Sequence, residues 1–97
     1  MSLVYFVYIL TNANRTILYS DVTNNLKSRL LFHQSMTLSQ NAYTKKYKVF
    51  YLIYFEAFAE VVDAIKREKE IDSMSRKMKE ELINSKNKNW EFLNDKI

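Results

Sequence analysis

Residues 17–34 read Ile17-Leu18-Tyr19-Ser20-Asp21-Val22-Thr23-Asn24-Asn25-Leu26-Lys27-Ser28-Arg29-Leu30-Leu31-Phe32-His33-Gln34. The stretch opens as a strand end, Ile17-Leu18-Tyr19, and closes as a helix-like run from Asn24. Thr23 or Asn24 supplies an N-cap. Leu26, Leu30 and His33 fall along one side at helical spacing. Arg29 and His33 are one turn apart on a helix face. Ser20-Asp21 reads as a tight turn at the junction, a place where glycine, free to take unusual φ and ψ, is expected. A strand running straight into a helix, with Tyr19, Arg29 and His33 at the meeting point, implies a sheet carrying a helix with polar groups between them.

The flanks extend this reading. Leu3–Leu10 is β-branched and aromatic throughout, a strand apolar enough to be buried on both faces. Thr11–Arg15 is a polar turn cluster, so Thr16–Tyr19 returns as the second strand of a hairpin. Residues 34–47 are polar and loop-like, and Thr44-Lys45-Lys46-Tyr47-Lys48 interleaves cations with aromatics. Val49–Phe55 is a third strand. Phe58–Ile71 has an amphipathic pattern, with Phe58, Val61, Val62 and Ile65 as its apolar stripe. A last helix spans Ser75–Asn84, with Met74, Met78 and Leu82 on one face. Trp90, Phe92 and Leu93 are expected to pack back on the core. The order β-β-α-β-α-α predicts an α/β chain of the α+β type, a small three-stranded antiparallel sheet flanked by helices.

Composition narrows the class. Ninety-seven residues suit one domain, 1–97, and 47% hydrophobic with 14% aromatic content suits a folded chain. No apolar run approaches the roughly 20 residues of a membrane span, and the start lacks the basic and cleavage regions of a signal peptide. With no cysteine, disulfides, thiol catalysis and cysteine zinc sites are excluded. A cytoplasmic protein is expected. A net charge of +4 and a pI near 9.3 favour nucleic acid as partner. The chain has no glycine and no proline, where average usage gives about seven and five. That absence points to an edited sequence or to drift under relaxed selection.

Tyr8, Tyr19, Arg29, His33 and Glu68 are the residues best suited to chemistry. Taken singly, each has an ordinary structural reading. Tyrosines pack with a wet hydroxyl, a histidine near a helix end is dipole-stabilised, and a glutamate in a Lys/Arg/Glu run lies on a solvated face. In combination they resemble the GIY-YIG endonuclease superfamily, in particular its small single-domain bacterial members. The likeness runs from about Leu3 to Phe92. "FVYIL" places the tyrosine of the first motif at Tyr8, and the second motif, Tyr-Ile-Gly, falls on Tyr19-Ser20-Asp21. "VTNNLKSRLLFH" places the family's arginine and histidine at Arg29 and His33, and "AIKREKEI" places its metal-binding glutamate at Glu68. "SRKMKEELI" and "NKNW" resemble the tail of the small members.

The resemblance implies metal-dependent hydrolysis of DNA. Tyr8 and Tyr19 would position or activate water with His33 as proton relay. Arg29 would grip the phosphate, and Glu68 would hold one divalent cation, Mg²⁺ or another. Lys45, Lys46, Lys48 and Arg67, with Lys66, would contact backbone phosphates. The chain departs from the pattern where Asp21 replaces the motif glycine. A carboxylate about 5 Å from a phosphate charge costs roughly 3 kcal/mol at an effective dielectric near 20, so impaired activity is expected. Asp21 as an extra metal ligand is the opposite possibility. Met74 and Lys88 stand where small relatives have tryptophan and proline. Without glycine or proline between Phe58 and Asn84, the two later helices could fuse and open a route to a helix-swapped homodimer. A catalytically inactive nucleic-acid-binding module, or an engineered variant of the fold, is the alternative function.

Overall fold

The apolar run after Leu3 forms β1 (Tyr5–Thr11), the middle strand of an antiparallel sheet whose order is β2-β1-β3. Its partners are β2 (Leu18–Thr23) and β3 (Tyr51–Phe58). Being central and covered on both sides, β1 is buried continuously from Val7 to Thr11. The computed structural model describes residues 3–34 and 48–97. Within them the helices are α1 (Leu26–Gln34), α2 (Val61–Asp72) and α3 (Arg76–Lys86), and Asn94–Lys96 make a 3-10 turn. The expected order β-β-α-β-α-α and the α+β class hold.

Side-chain alternation along β1 divides the core into two layers. Tyr8 and Leu10 face α1 and pack with Leu26, Leu30, Val49 and Leu52. Val7 and Ile9 face the other way and pack with Ala64 and Ile71 of α2 and Ile83 of α3. A bulge in β3 between the partners of Ile9 and Leu10 puts the consecutive Ile53 and Tyr54 into that second layer. Trp90 and Phe92 return to the second layer and Leu93 to the first, as the sequence suggested.

The structure differs from the sequence expectations in several places. The second strand does not end at Tyr19: β2 continues through Ser20 and Asp21 to Thr23. There is no turn at Ser20-Asp21. Among the described residues positive φ occurs at Arg15, Lys48 and Trp90 and not at Asp21, so the backbone at Asp21 has no need of glycine. Edge-strand residues are half solvated and tolerate polar side chains, which is why a strand here looked like a turn. The cap of α1 is also one residue later, since Asn25 Oδ1 accepts the Ser28 N–H at 3.0 Å.

Val61, Val62 and Ile65 of α2 are exposed, and the face turned to the sheet carries Ala64 and Ile71. A small alanine lets the helix approach closely, so the bulkier valines were a misleading guide; Met78 of α3 is also exposed, and Ile83 takes the buried place. The helix pair is broken at Ser73–Ser75: Ser73 N–H bonds back to Lys69 O, and Ser75 caps α3 through its Oγ at 3.2 Å from Met78 N. A serine cap ends and restarts the helix without glycine or proline, and the fused helix that a swap required is absent. None of the helices among the described residues is long and apolar enough to cross a membrane.

Candidate active site

The β1–β2 register assembles the site. Tyr8 lies opposite Asp21 and Leu10 opposite Tyr19, so Tyr8, Tyr19 and Asp21 share the face covered by α1. Cross-strand partners bring their Cβ atoms within about 5 Å. Asn25 then starts α1 directly beyond β2, which carries Arg29 and His33 back over that face, one turn apart.

His33 is buried, and its Nε2 lies 3.1 Å from the Tyr8 hydroxyl. The imidazole packs edge-on against the rings of Tyr8, Tyr19 and Phe32, with centroids 6.1, 5.8 and 5.9 Å away. Its Nδ1 is buried without a partner among the described residues. Burial first, and then the Arg29 charge, lower the His33 pKa below its ordinary 6.5; Asp21 acts in the opposite direction. Tyr8 is pushed well above the usual phenol value, chiefly by burial and next by Asp21, with Arg29 as a partial offset. The pair at neutral pH is therefore a neutral phenol and a neutral imidazole.

Asp21 takes the centre of the polar group. One carboxylate oxygen accepts the Tyr19 hydroxyl at 3.2 Å and lies 3.8 Å from Arg29 Nη1, while the other accepts the Val22 N–H at 2.8 Å. A carboxylate held by a guanidinium, a phenol and a backbone N–H occupies the kind of donor set that recognises a phosphate oxygen. The Arg29–Asp21 contact is long and both side chains are about a third or more exposed, so it is a weak tie. Arg29 also lines an open cleft of about 320 Å³ with Thr23, Asn24, Asn25, Ser28 and Phe32.

Glu68 stands half-buried on α2. Its pKa is raised, first by burial, then by Asp72 and Asp21, against Lys69. Asp21 lies on β2, which α2 contacts, so the two carboxylates stand on adjacent elements. No group of three or more His, Asp or Glu residues suited to a metal occurs among the described residues. One half-buried carboxylate that feels Asp21 from the sheet suits a hard cation that keeps most of its water, as Mg²⁺ does. It does not suit zinc, which wants three or four protein ligands.

The basic residues fall out differently. Lys45 and Lys46 lie outside the described residues, and Lys48 is exposed. Arg67 is engaged: its Nε and Nη2 donate to Glu56 at 3.0 Å each and its Nη1 donates to Glu70 at 2.6 Å. Of the other residues that line the cleft, the sequence pointed to Asn24 as a helix-cap candidate and to none of Phe32, Asn25 and Ser28. The signal was there, since residues 25, 28, 29 and 32 follow helical spacing around Arg29.

Comparison with known proteins agrees with this geometry. A family model described as the GIY-YIG catalytic domain matches residues 4–81. The fold is similar to the solution NMR structure of a UPF0213 protein from Bacillus halodurans, at 27% identity over 96% of each chain, with a TM-score of 0.59. A search of curated proteins gives no match. The matched span holds Tyr8, Tyr19, Arg29, His33 and Glu68, and the chain belongs to the GIY-YIG family.

Proposed function

We propose that the chain is a metal-dependent DNA endonuclease whose activity is held down by Asp21. The observation that carries this reading is the Asp21 carboxylate seated between Arg29, Tyr19 and the Val22 N–H. A phosphodiester entering the site meets the same donors, and Asp21 competes with it for them.

In this reading Arg29 donates to the scissile phosphate and offsets the charge that builds on its oxygens. Tyr19, released from Asp21, orients the attacking water. Tyr8 is fully buried beside Asp21, so a glycine opposite it would open that flank. The Tyr8–His33 hydrogen bond supplies a proton path. A proton arriving at the phenol oxygen is matched by transfer of the phenol's own proton to Nε2. Neutral His33 is the form able to accept it. Glu68 would hold Mg²⁺ or another divalent ion, which when bound supplies Lewis-acid charge at the phosphate. The exposed Lys48, together with Lys45 and Lys46, would add sequence-independent contacts to the backbone.

The experiment is nicking of plasmid and branched DNA with Mg²⁺ or Mn²⁺. Arg29→Ala and Glu68→Ala are expected to abolish cleavage, and Asp21→Gly to raise it. Cleavage that survives both alanine substitutions removes the assignment. The same Arg29–Asp21 contact favours a second reading, a nucleic-acid-binding module without turnover. That reading predicts salt-sensitive DNA binding, no metal dependence, and no gain in Asp21→Gly.

A further inference from the structure

The cleft beside Arg29 has a composition of its own. Its lining combines one aromatic ring, Phe32, half exposed, with the amides of Asn24 and Asn25, the hydroxyls of Thr23 and Ser28, and Arg29 itself. We propose that it is a subsite for one nucleobase next to the scissile phosphate, stacked on Phe32 and read at its edge by the Asn24 amide. The proposal rests on the nuclease reading above.

Three observations carry it. Arg29 lines both the cleft and the polar group, so an occupant of the cleft lies within one nucleotide of a phosphate on Arg29. The free N–H groups of the helix start are not the attraction: Asn25 Oδ1 takes the Ser28 N–H at 3.0 Å, and Thr23 Oγ1 takes the Asn25 N–H at 3.1 Å. What remains is a π-face and an Asn24 amide with no partner among the described residues, a pairing that suits a flat heterocycle with polar edges. Phe32 also makes an edge-on ring contact with His33, with centroids 5.9 Å apart. At about 320 Å³ the cleft is at the small end of ligand pockets, enough for a single base.

The test crosses Phe32→Ala with an oligonucleotide made abasic beside the cleaved bond, read as KM and kcat with Mn²⁺. Phe32→Ala is expected to raise KM about tenfold on the intact strand. The abasic strand should cost the wild type as much, and the combination no more than either change alone. Phe32→Tyr should restore the wild-type KM, and Asn24→Ala should flatten base preference at that position, read as the ratio of kcat/KM between strands that differ in that base. Equal losses for Phe32→Ala on intact and abasic strands overturn the subsite, as does a neutral Phe32→Ala. If the wild type neither binds nor cleaves DNA, the nuclease reading fails and the subsite with it. If the wild type cleaves normally and Phe32→Ala is neutral, the subsite alone fails.

Discussion

The sheet carries two clusters built from the same three kinds of residue (tyrosine, carboxylate and arginine), one on each face. On the α1 face stand Tyr8, Tyr19, Asp21 and Arg29; on the α2 face stand Tyr54, Glu56 and Arg67. In the second cluster Arg67 grips Glu56 with two donors at 3.0 Å, Tyr54 donates to the same carboxylate, and Glu70 takes the remaining arm. The Glu56 side chain is 17% exposed and that of Arg67 25%. In the first, the arginine stands 3.8 Å from its carboxylate, 40% exposed, at the mouth of a cleft. Residue type does not separate a site from a brace. Saturation does: a bidentate, shielded pair has spent its donors on the fold, while a loose, open one has donors left for a substrate.

Substituting each arginine tests that contrast directly. Arg29→Ala is expected to lower cleavage about a thousandfold, the scale of losing a charged donor to the transition state, while its melting temperature moves little because an exposed pair contributes about 0–1 kcal/mol. Arg67→Ala should do the reverse. Leaving the part-buried Glu56 carboxylate without its guanidinium, with the Tyr54 hydroxyl still donating to it, costs about 2 kcal/mol, or roughly 10 °C in a domain of this size, with no specific loss of rate in the folded fraction. The opposite pattern, stability lost in Arg29→Ala and rate lost in Arg67→Ala, would falsify the assignment of roles. Asp21→Gly comes next in size. Removing roughly 3 kcal/mol of repulsion raises phosphate binding or rate by up to about a hundredfold. Asp21→Asn removes the charge but keeps the bulk, so a smaller gain there than in Asp21→Gly assigns the remainder to the covered flank of Tyr8.

The sequence was legible where apolar pattern and chemistry coincide. Leu26, Leu30 and His33 repeat at helical spacing and are all buried. The β-branched run of β1 declared a central strand. Tyr8, Tyr19, Arg29 and His33 come together because a hairpin register and one helix turn are local rules. What was not legible depends on partners distant in the chain. Arg67 read as a phosphate contact, and its hold on Glu56, eleven residues away on another element, has no signal in the sequence around it. Val61 and Val62 looked like core, but α2 approaches the sheet through Ala64. Asp21 looked like a broken turn, because a polar pair on an edge strand has the same composition as a turn. Its capture by Arg29 follows from a register that single residues do not announce.

The smallest expected effects are in pH, and they separate the faces by the range in which each responds. His33 is buried and neutral with a pKa below 6.5. A depressed folded value means stability that is complete above about pH 6.5 and is lost as pH falls through the folded value. At Glu56, burial alone would raise the pKa, but the Arg67 and Tyr54 hydrogen bonds with the Arg67 charge bring it below 4.5. Its contribution is complete above about pH 4.5 and is lost only below that. Acid unfolding followed by circular dichroism should therefore begin with a shallow loss that Tyr8→Phe alters and Glu56→Gln does not. A steeper loss follows at lower pH that Glu56→Gln removes. In activity, neutral His33 persists below pH 6.5, so the acid limb of the cleavage rate that reports His33 lies below that value. Asp21 favours the imidazolium, so Asp21→Asn should push that limb lower still. A limb that stays fixed in Asp21→Asn would detach His33 from the reacting group and leave Tyr8–His33 as a brace of the same kind as Glu56–Arg67.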